Sequence, residues 1–99
     1  MSLRDIMDAE RRLCILTLLS ETPDYRLNHK ILATAVSALM APRVSGDVIQ
    51  ADLAWLKDVG LVQIETDISW PVIARLTPRG LDVATGATVV PGVKRPDPR

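Results

Sequence analysis

Asp52-Leu53-Ala54-Trp55-Leu56-Lys57-Asp58-Val59-Gly60-Leu61-Val62 is the stretch that decides the fold. Leu53 and Leu56 follow Ile49 at i, i+4 and i+7, with Val48, Trp55 and Val59 flanking, which is helical spacing. Gly60 is placed to close that helix in a left-handed cap, which a residue lacking Cβ adopts without steric cost. Beyond it the period shortens. Leu61-Val62-Gln63-Ile64-Glu65 reads as a strand, Thr66-Asp67 as the start of a turn, and Val72-Ile73-Ala74-Arg75-Leu76 as the returning strand. Pro71 has no N–H to give a ladder and belongs at the wide hairpin tip or on an edge.

Ahead of this stretch, Ser45 caps the third helix, with Val44 and Ile49 spaced as a hydrophobic staple. Asn28 caps the second, with Leu27 and Leu32 as its staple. Ile31, Leu32, Ala35, Val36 and Leu39 make its stripe, and Ala41-Pro42 ends it. Ser2 and Asp5 have the spacing of a capping box and open a first helix that runs to about Ser20, before the turn dipeptide Pro23-Asp24. From Leu13 to Leu19 that helix is apolar nearly all round. It therefore needs cover on more than one side, from the core and from a second subunit, which points to a homodimer through this helix. After the hairpin, Thr77-Pro78 starts a short helix that reaches about Thr85, before Gly86. The expected architecture is mainly α with a β-hairpin: three helices, a two-stranded wing and a short C-terminal helix over residues 1–86. Residues 87–99, with Pro91, Pro96 and Pro98, form an extended, poorly ordered basic tail.

Composition bounds the function. A chain of 99 residues makes one domain, and 47% hydrophobic with 24% charged residues is the balance of a globular one. Twelve Lys and Arg against twelve Asp and Glu give no net charge, which excludes a uniformly basic nucleic-acid coat but leaves room for a local patch. The longest uncharged run, residues 31–42, falls short of the ~20 residues a spanning helix needs. Arg4, Asp5, Asp8, Glu10, Arg11 and Arg12 stand where a signal peptide would have its apolar core. A single cysteine, Cys14, excludes an internal disulfide and fits a reducing compartment. The expectation is a cytoplasmic protein with no membrane contact.

The order of elements, with a helix ending in Gly just before a hairpin, resembles the winged helix-turn-helix arrangement. Residues 52–62 resemble the end of a recognition helix entering the wing. Leu76-Thr77-Pro78-Arg79-Gly80 is similar to the step that follows the wing in many bacterial regulators. More narrowly, the chain resembles a family of small proteins of Mu-like prophages, related to ArsR-type regulators. That match lies in residues 51–56 and 60–62, in Leu76-Thr77, in Gly80-Leu81-Asp82-Val83-Ala84 and in the tail Val90-Pro91-Gly92-Val93-Lys94-Arg95-Pro96. The resemblance implies a phage context in a bacterial host and a winged-helix fold. It brings no activity with it.

If the third helix enters a DNA major groove, its outward face comprises Asp47, Gln50, Ala51, Ala54, Lys57 and Asp58. Gln50 suits an adenine edge and the alanines suit thymine methyls. Charge argues the other way. From Ser45 to Gly60 one Lys faces three Asp, a net of −2, and the wing adds Glu65 and Asp67. A solvated polar face is the competing reading of the same residues. Arg26, Lys30 and Arg43 flank the starts of the second and third helices, where phosphates are favoured, although scattered solubilising charge explains them too. The tail from Val89 carries Lys94, Arg95 and Arg99 against Asp97, a net of +2. The expected DNA-contacting set is thus Arg26, Lys30, Arg43, Ser45, Gln50, Ala54, Lys57, Lys94 and Arg95. Trp70 at the wing tip is the better contact residue of the two tryptophans, while Trp55 reads as packing.

Asp52 falls on the apolar face of the third helix and needs a partner, an arginine such as Arg75 or free backbone amides, and reads as a structural ion pair rather than a catalytic acid. Catalysis has little to work with, since His29 and Cys14 are each alone and no metal-ligand spacing, phosphate-cradling glycine loop or nucleophile elbow occurs. The expectation is no enzyme, no cofactor and no metal. Two functions remain: a DNA-binding regulator or accessory factor, or a protein-interaction module of phage assembly or packaging that docks on another phage protein.

Overall fold

Ile49, Leu53 and Leu56 return to one side of their helix at every turn, and all three are buried in the computed structural model, which describes residues 1–98. The elements run α1 (Leu3–Ser20), a 3-10 turn (Pro23–Tyr25), β1 (Arg26–Asn28), α2 (His29–Met40), α3 (Gly46–Asp58), β2 (Val62–Ile64), β3 (Ile73–Leu76) and α4 (Pro78–Thr85). The helix starts follow the local code. Ser2 and Asp5 form a reciprocal capping box, and the side chains of Asn28, Ser45 and Thr77 accept from the amides of Ile31, Val48 and Gly80.

The sheet has three strands, not two. β3 lies between β1 and β2, antiparallel to both, with Leu27 opposite Ala74 on one side and Ile64 opposite Ala74 on the other. Three residues before a helix cap are too few to display an alternating pattern, so β1 left no trace in the sequence. Pairing with β3, not propensity, makes it a strand. Alternation along β3 turns Ala74 and Leu76 into the core and leaves Arg75 exposed.

The end of α3 is a Schellman motif. Leu61 N–H donates to Leu56 O at 2.9 Å, Gly60 N–H donates to Lys57 O at 3.0 Å, and Gly60 takes φ +80°. The carbonyls beyond this cap are taken up by α4: Arg79 Nη1 donates to Val59 O, Thr77 Oγ1 to Gly60 O, and Thr77 N–H to Leu61 O. So close an approach needs a glycine at position 80, where a Cβ would stand 2.1 Å from Leu61 O and 2.6 Å from Leu76 Cδ1. The backbone acceptor cannot yield as a flexible side chain would.

Asp52 is buried as the sequence requires, but its partner is not Arg75, which points away from the core on the outer face of the sheet. The partner comes from α1. Arg11 grips Asp52 with two nitrogens, Nε to Oδ2 and Nη2 to Oδ1, and also donates to Asp8 Oδ1 at 2.8 Å. Hydrogen bonding to Asp52 is the main reason the guanidinium is held above its usual range, with burial opposing it. Beside this pair, Arg12 lies 4.0 Å over the Trp55 ring and donates to Gly92 O at 3.0 Å.

Gly92 belongs to the tail, which is packed and not poorly ordered. Val90 and Val93 are buried with the core, Gly92 sits on Trp55 at φ +95°, and Lys94 N–H reaches Ala9 O on α1. The tail has neither helix nor strand, so its two valines gave no periodic signal. The charge expected from Arg99 lies outside the described residues. Among the apolar residues of α1, Ile15, Leu16 and Leu19 are buried, whereas Leu13, Cys14 and Leu18 are partly covered. No helix of the described residues is long and apolar enough to cross a membrane.

Two substitutions test these junctions. Gly80→Ala lowers stability by about 2–3 kcal/mol, read as a fall in the urea midpoint at unchanged m-value, because α4 must retreat from Leu61. Asp52→Ala leaves the mostly buried Arg11 guanidinium with Asp8 alone as counter-charge and costs about 3 kcal/mol. The double replacement Arg11→Met with Asp52→Leu recovers most of that loss in the same urea titration.

Candidate functional site

α2 and α3 meet through a short link that Ser37 holds in place. Its Oγ accepts from Val44 N–H at 2.7 Å and donates to Val44 O at 3.2 Å, so the residues after Met40 turn directly into the Ser45 cap. Between the two helices lies a groove of about 830 Å³. Four of the nine residues expected to touch DNA line it: Lys30 from the first turn of α2, Arg43 from the link, Ser45 at the cap and Gln50 one turn into α3. Asp47 is the one carboxylate on the groove wall. Trp70, reaching over from the β2–β3 connection, closes one end.

The other five lie apart. Ala54 and Lys57 are exposed farther along α3, outside the groove. Arg26 is tied across the sheet to Glu65, with Nη2 to Oε2 at 2.6 Å. Lys94 bridges Glu10 at 3.1 Å and Asp97 at 3.2 Å, and these carboxylates hold its ammonium above the ordinary lysine range, Glu10 most of all. Arg95 lines a separate cleft between the end of α1 and α4. On the outward face of α3, Asp47, Ala51, Ala54, Lys57 and Asp58 are exposed, while Gln50 is half-buried against the groove. Trp55 serves as packing under Arg12, and Trp70 remains 58% exposed.

His29 was not anticipated by sequence reasoning. It is the first residue of α2 and only 2% exposed. Its backbone N–H donates to Val72 O at 2.8 Å, and its ring Nδ1 accepts from Val72 N–H at 3.0 Å. The same side chain packs edge-on against Trp70, with centroids 4.7 Å apart and planes at 67°. Lys30 Nζ lies 5.4 Å from the centroid of that tryptophan ring. His29 thus fastens the start of α2 to the returning strand and brings its free ring edge to the groove floor. A residue beside a helix cap has no face assigned by periodicity, so only its being the sole histidine marked it.

Cys14 lies away from the groove, among Glu10, Leu13, Leu18 and Glu21 on the α1 surface near the end of α2. Burial pushes its thiol up, and the charges of Glu10 and Glu21 add to the effect. Among the described residues, no three His, Cys, Asp or Glu side chains come together as a metal site. A raised thiol means less thiolate at a given pH. Alkylation by iodoacetamide at pH 8 is therefore expected to be slower in the folded protein than in urea, and its pH–rate inflection to lie higher. Coincident inflections in the two states would contradict the burial of this thiol.

The chain is 39% identical over 97 residues to the uncharacterized protein gp26 of Escherichia phage Mu, covering 98% of each. An uncharacterized protein of Haemophilus influenzae is 31% identical over 85 residues, which cover 86% of this chain and 81% of that one. No family model matches.

Proposed function

The chain belongs to the phage Mu gp26 family, and from that premise we propose that it is a winged-helix DNA-binding protein of a Mu-like phage. In this reading α3 is the recognition helix, the β2–β3 hairpin is the wing, and the relation to ArsR-type regulators is one of fold. The protein acts as a transcriptional regulator or as an accessory DNA-binding factor. The observation that carries the reading is the gathering of Lys30, Arg43, Ser45 and Gln50 on one groove at the start of α3. Such a groove offers phosphate contacts beside a side chain suited to base edges.

Burial also weakens the electrostatic objection. Asp52 is neutralised internally by Arg11, and Glu65 is paired with Arg26. On α3 and the groove Lys30, Arg43 and Lys57 then face Asp47 and Asp58, a net of +1, and Asp67 on the wing brings the whole face to zero. A second copy docks along α1 in this reading, where Leu3 and Ile6 are exposed and Leu13, Cys14 and Leu18 half covered, and it brings a second recognition helix to a neighbouring half-site.

One observation favours the alternative, a protein-interaction module of phage assembly or packaging. Ile68 and Trp70 stand 39% and 58% exposed on the connection between β2 and β3, apolar side chains that would suit another phage protein. Salt separates the two readings. Anisotropy with random duplex and prophage intergenic fragments is expected to show affinity falling steeply with salt, and Lys30→Ala with Arg43→Ala to flatten the log–log slope by about two. Absence of duplex binding even at low salt would sink the DNA reading in favour of the protein-binding one.

A further inference from the structure

We propose that the α2–α3 groove contains a seat for a single phosphate group, with His29 Nε2–H as one of its donors. The argument begins with Val72, whose N–H donates to His29 Nδ1. An imidazole nitrogen that accepts carries no proton, so the ring N–H is on Nε2. His29 is 98% buried, and Nε2 forms no hydrogen bond within the described residues. The ring edge carrying it lies against Gly46, the first residue of α3, where a Cβ would be 3.5 Å from Cδ2 and 3.8 Å from Nε2. Among the described residues, the side-chain nitrogens sealed without a partner are Arg12 Nε and Arg26 Nε, so His29 Nε2, which also lacks one, opens on the groove that the ring lines.

The surroundings specify what accepts. The amides of Gly46 and Asp47 precede the first side-chain-capped amide, Val48, and stand at the positive end of a 13-residue helix. Lys30 and Arg43 line the same groove against the single carboxylate of Asp47. Donors of three kinds and a cationic excess fit a compact oxyanion with several acceptor oxygens, which is the chemistry of a phosphate. The lack of a Cβ at Gly46 keeps the space beside Nε2 open. The seat rests on the DNA reading only for its source, where the phosphate belongs to the duplex backbone and fixes α3 in register. A free phosphate has the same chemistry.

The protein tests this directly, because its one histidine gives a single set of ring resonances. Inorganic phosphate is titrated at constant ionic strength against sodium chloride while the His29 ring nitrogens and the Gly46 amide are followed by NMR. Saturable shifts at both positions are expected, in the millimolar range. His29→Asn keeps an acceptor within reach of Val72 N–H but withdraws the Nε2 donor, and should weaken phosphate at least fivefold. Gly46→Ala plugs the seat without touching charge or the Val72 bond, and should weaken it similarly in a protein whose unfolding midpoint is no lower.

Shifts no larger than those caused by chloride, or equal saturation in both variants, would overturn the seat. In a parallel duplex titration, a roughly three- to tenfold loss for His29→Asn identifies the backbone as the source. Phosphate binding without duplex binding would uphold the seat and reject the DNA reading. Equal duplex affinity for His29→Asn and the parent would overturn the backbone as its occupant.

Discussion

Asp52 is the charge around which the molecule closes. A carboxylate on the inner face of α3 tolerates burial only with its counter-charge in place, so α1 must lie where Arg11 can reach it. Once Arg11 is fixed, the next residue along α1 is fixed too. Arg12 falls over Trp55, three residues after Asp52 on α3, and its Nη1 donates to the carbonyl of Gly92. One ion pair thus sets the α1–α3 approach, and that approach creates the ledge on which the tail rests. The ion pair specifies the packing more than it adds net stability, since apolar side chains of similar volume could fill the same space.

The same burial changes the character of the surface. Counted along the chain, α3 is acidic, and that count speaks against contact with a polyanion. Counted in space, one of its three aspartates is spent inside the protein, and the wing glutamate is spent on Arg26. The cations at the start of α2 and in the link before α3 then stand over a face with less opposing charge. Coulombic reasoning needs positions, and in this chain burial of Asp52 takes α3 from −2 to −1 while Lys30 and Arg43 outnumber Asp47 along the groove.

Much of the architecture could be read from residues whose signals are local. Ser2, Asn28, Ser45 and Thr77 announce their helices because an N-cap is a short-range device, and Gly60 and Gly86 announce helix ends because positive φ is an intrinsic property of the position. The features that escaped are all products of long-range contact. β1 exists through β3, Asp52 found Arg11 rather than Arg75, the tail valines found the core, and His29 found Val72 across 43 positions. Of the expected contact residues, the groove unites Lys30, Arg43, Ser45 and Gln50, whereas Arg26 and Lys94 are held by carboxylates that no spacing rule pairs with them.

Eighty positions separate Arg12 from the Gly92 carbonyl it holds. During synthesis, α1 therefore emerges long before the segment that rests on its first half, although α2, β3 and α4 meet its apolar stripe earlier. The entropic cost of closing a loop grows only slowly with its length, so contacts this far apart remain accessible. A chain cut before Val90 would keep that packing but lose two valines from the core and the Gly92 contact with Trp55 and Arg12, so the tail acts as a clasp across α1 and α3.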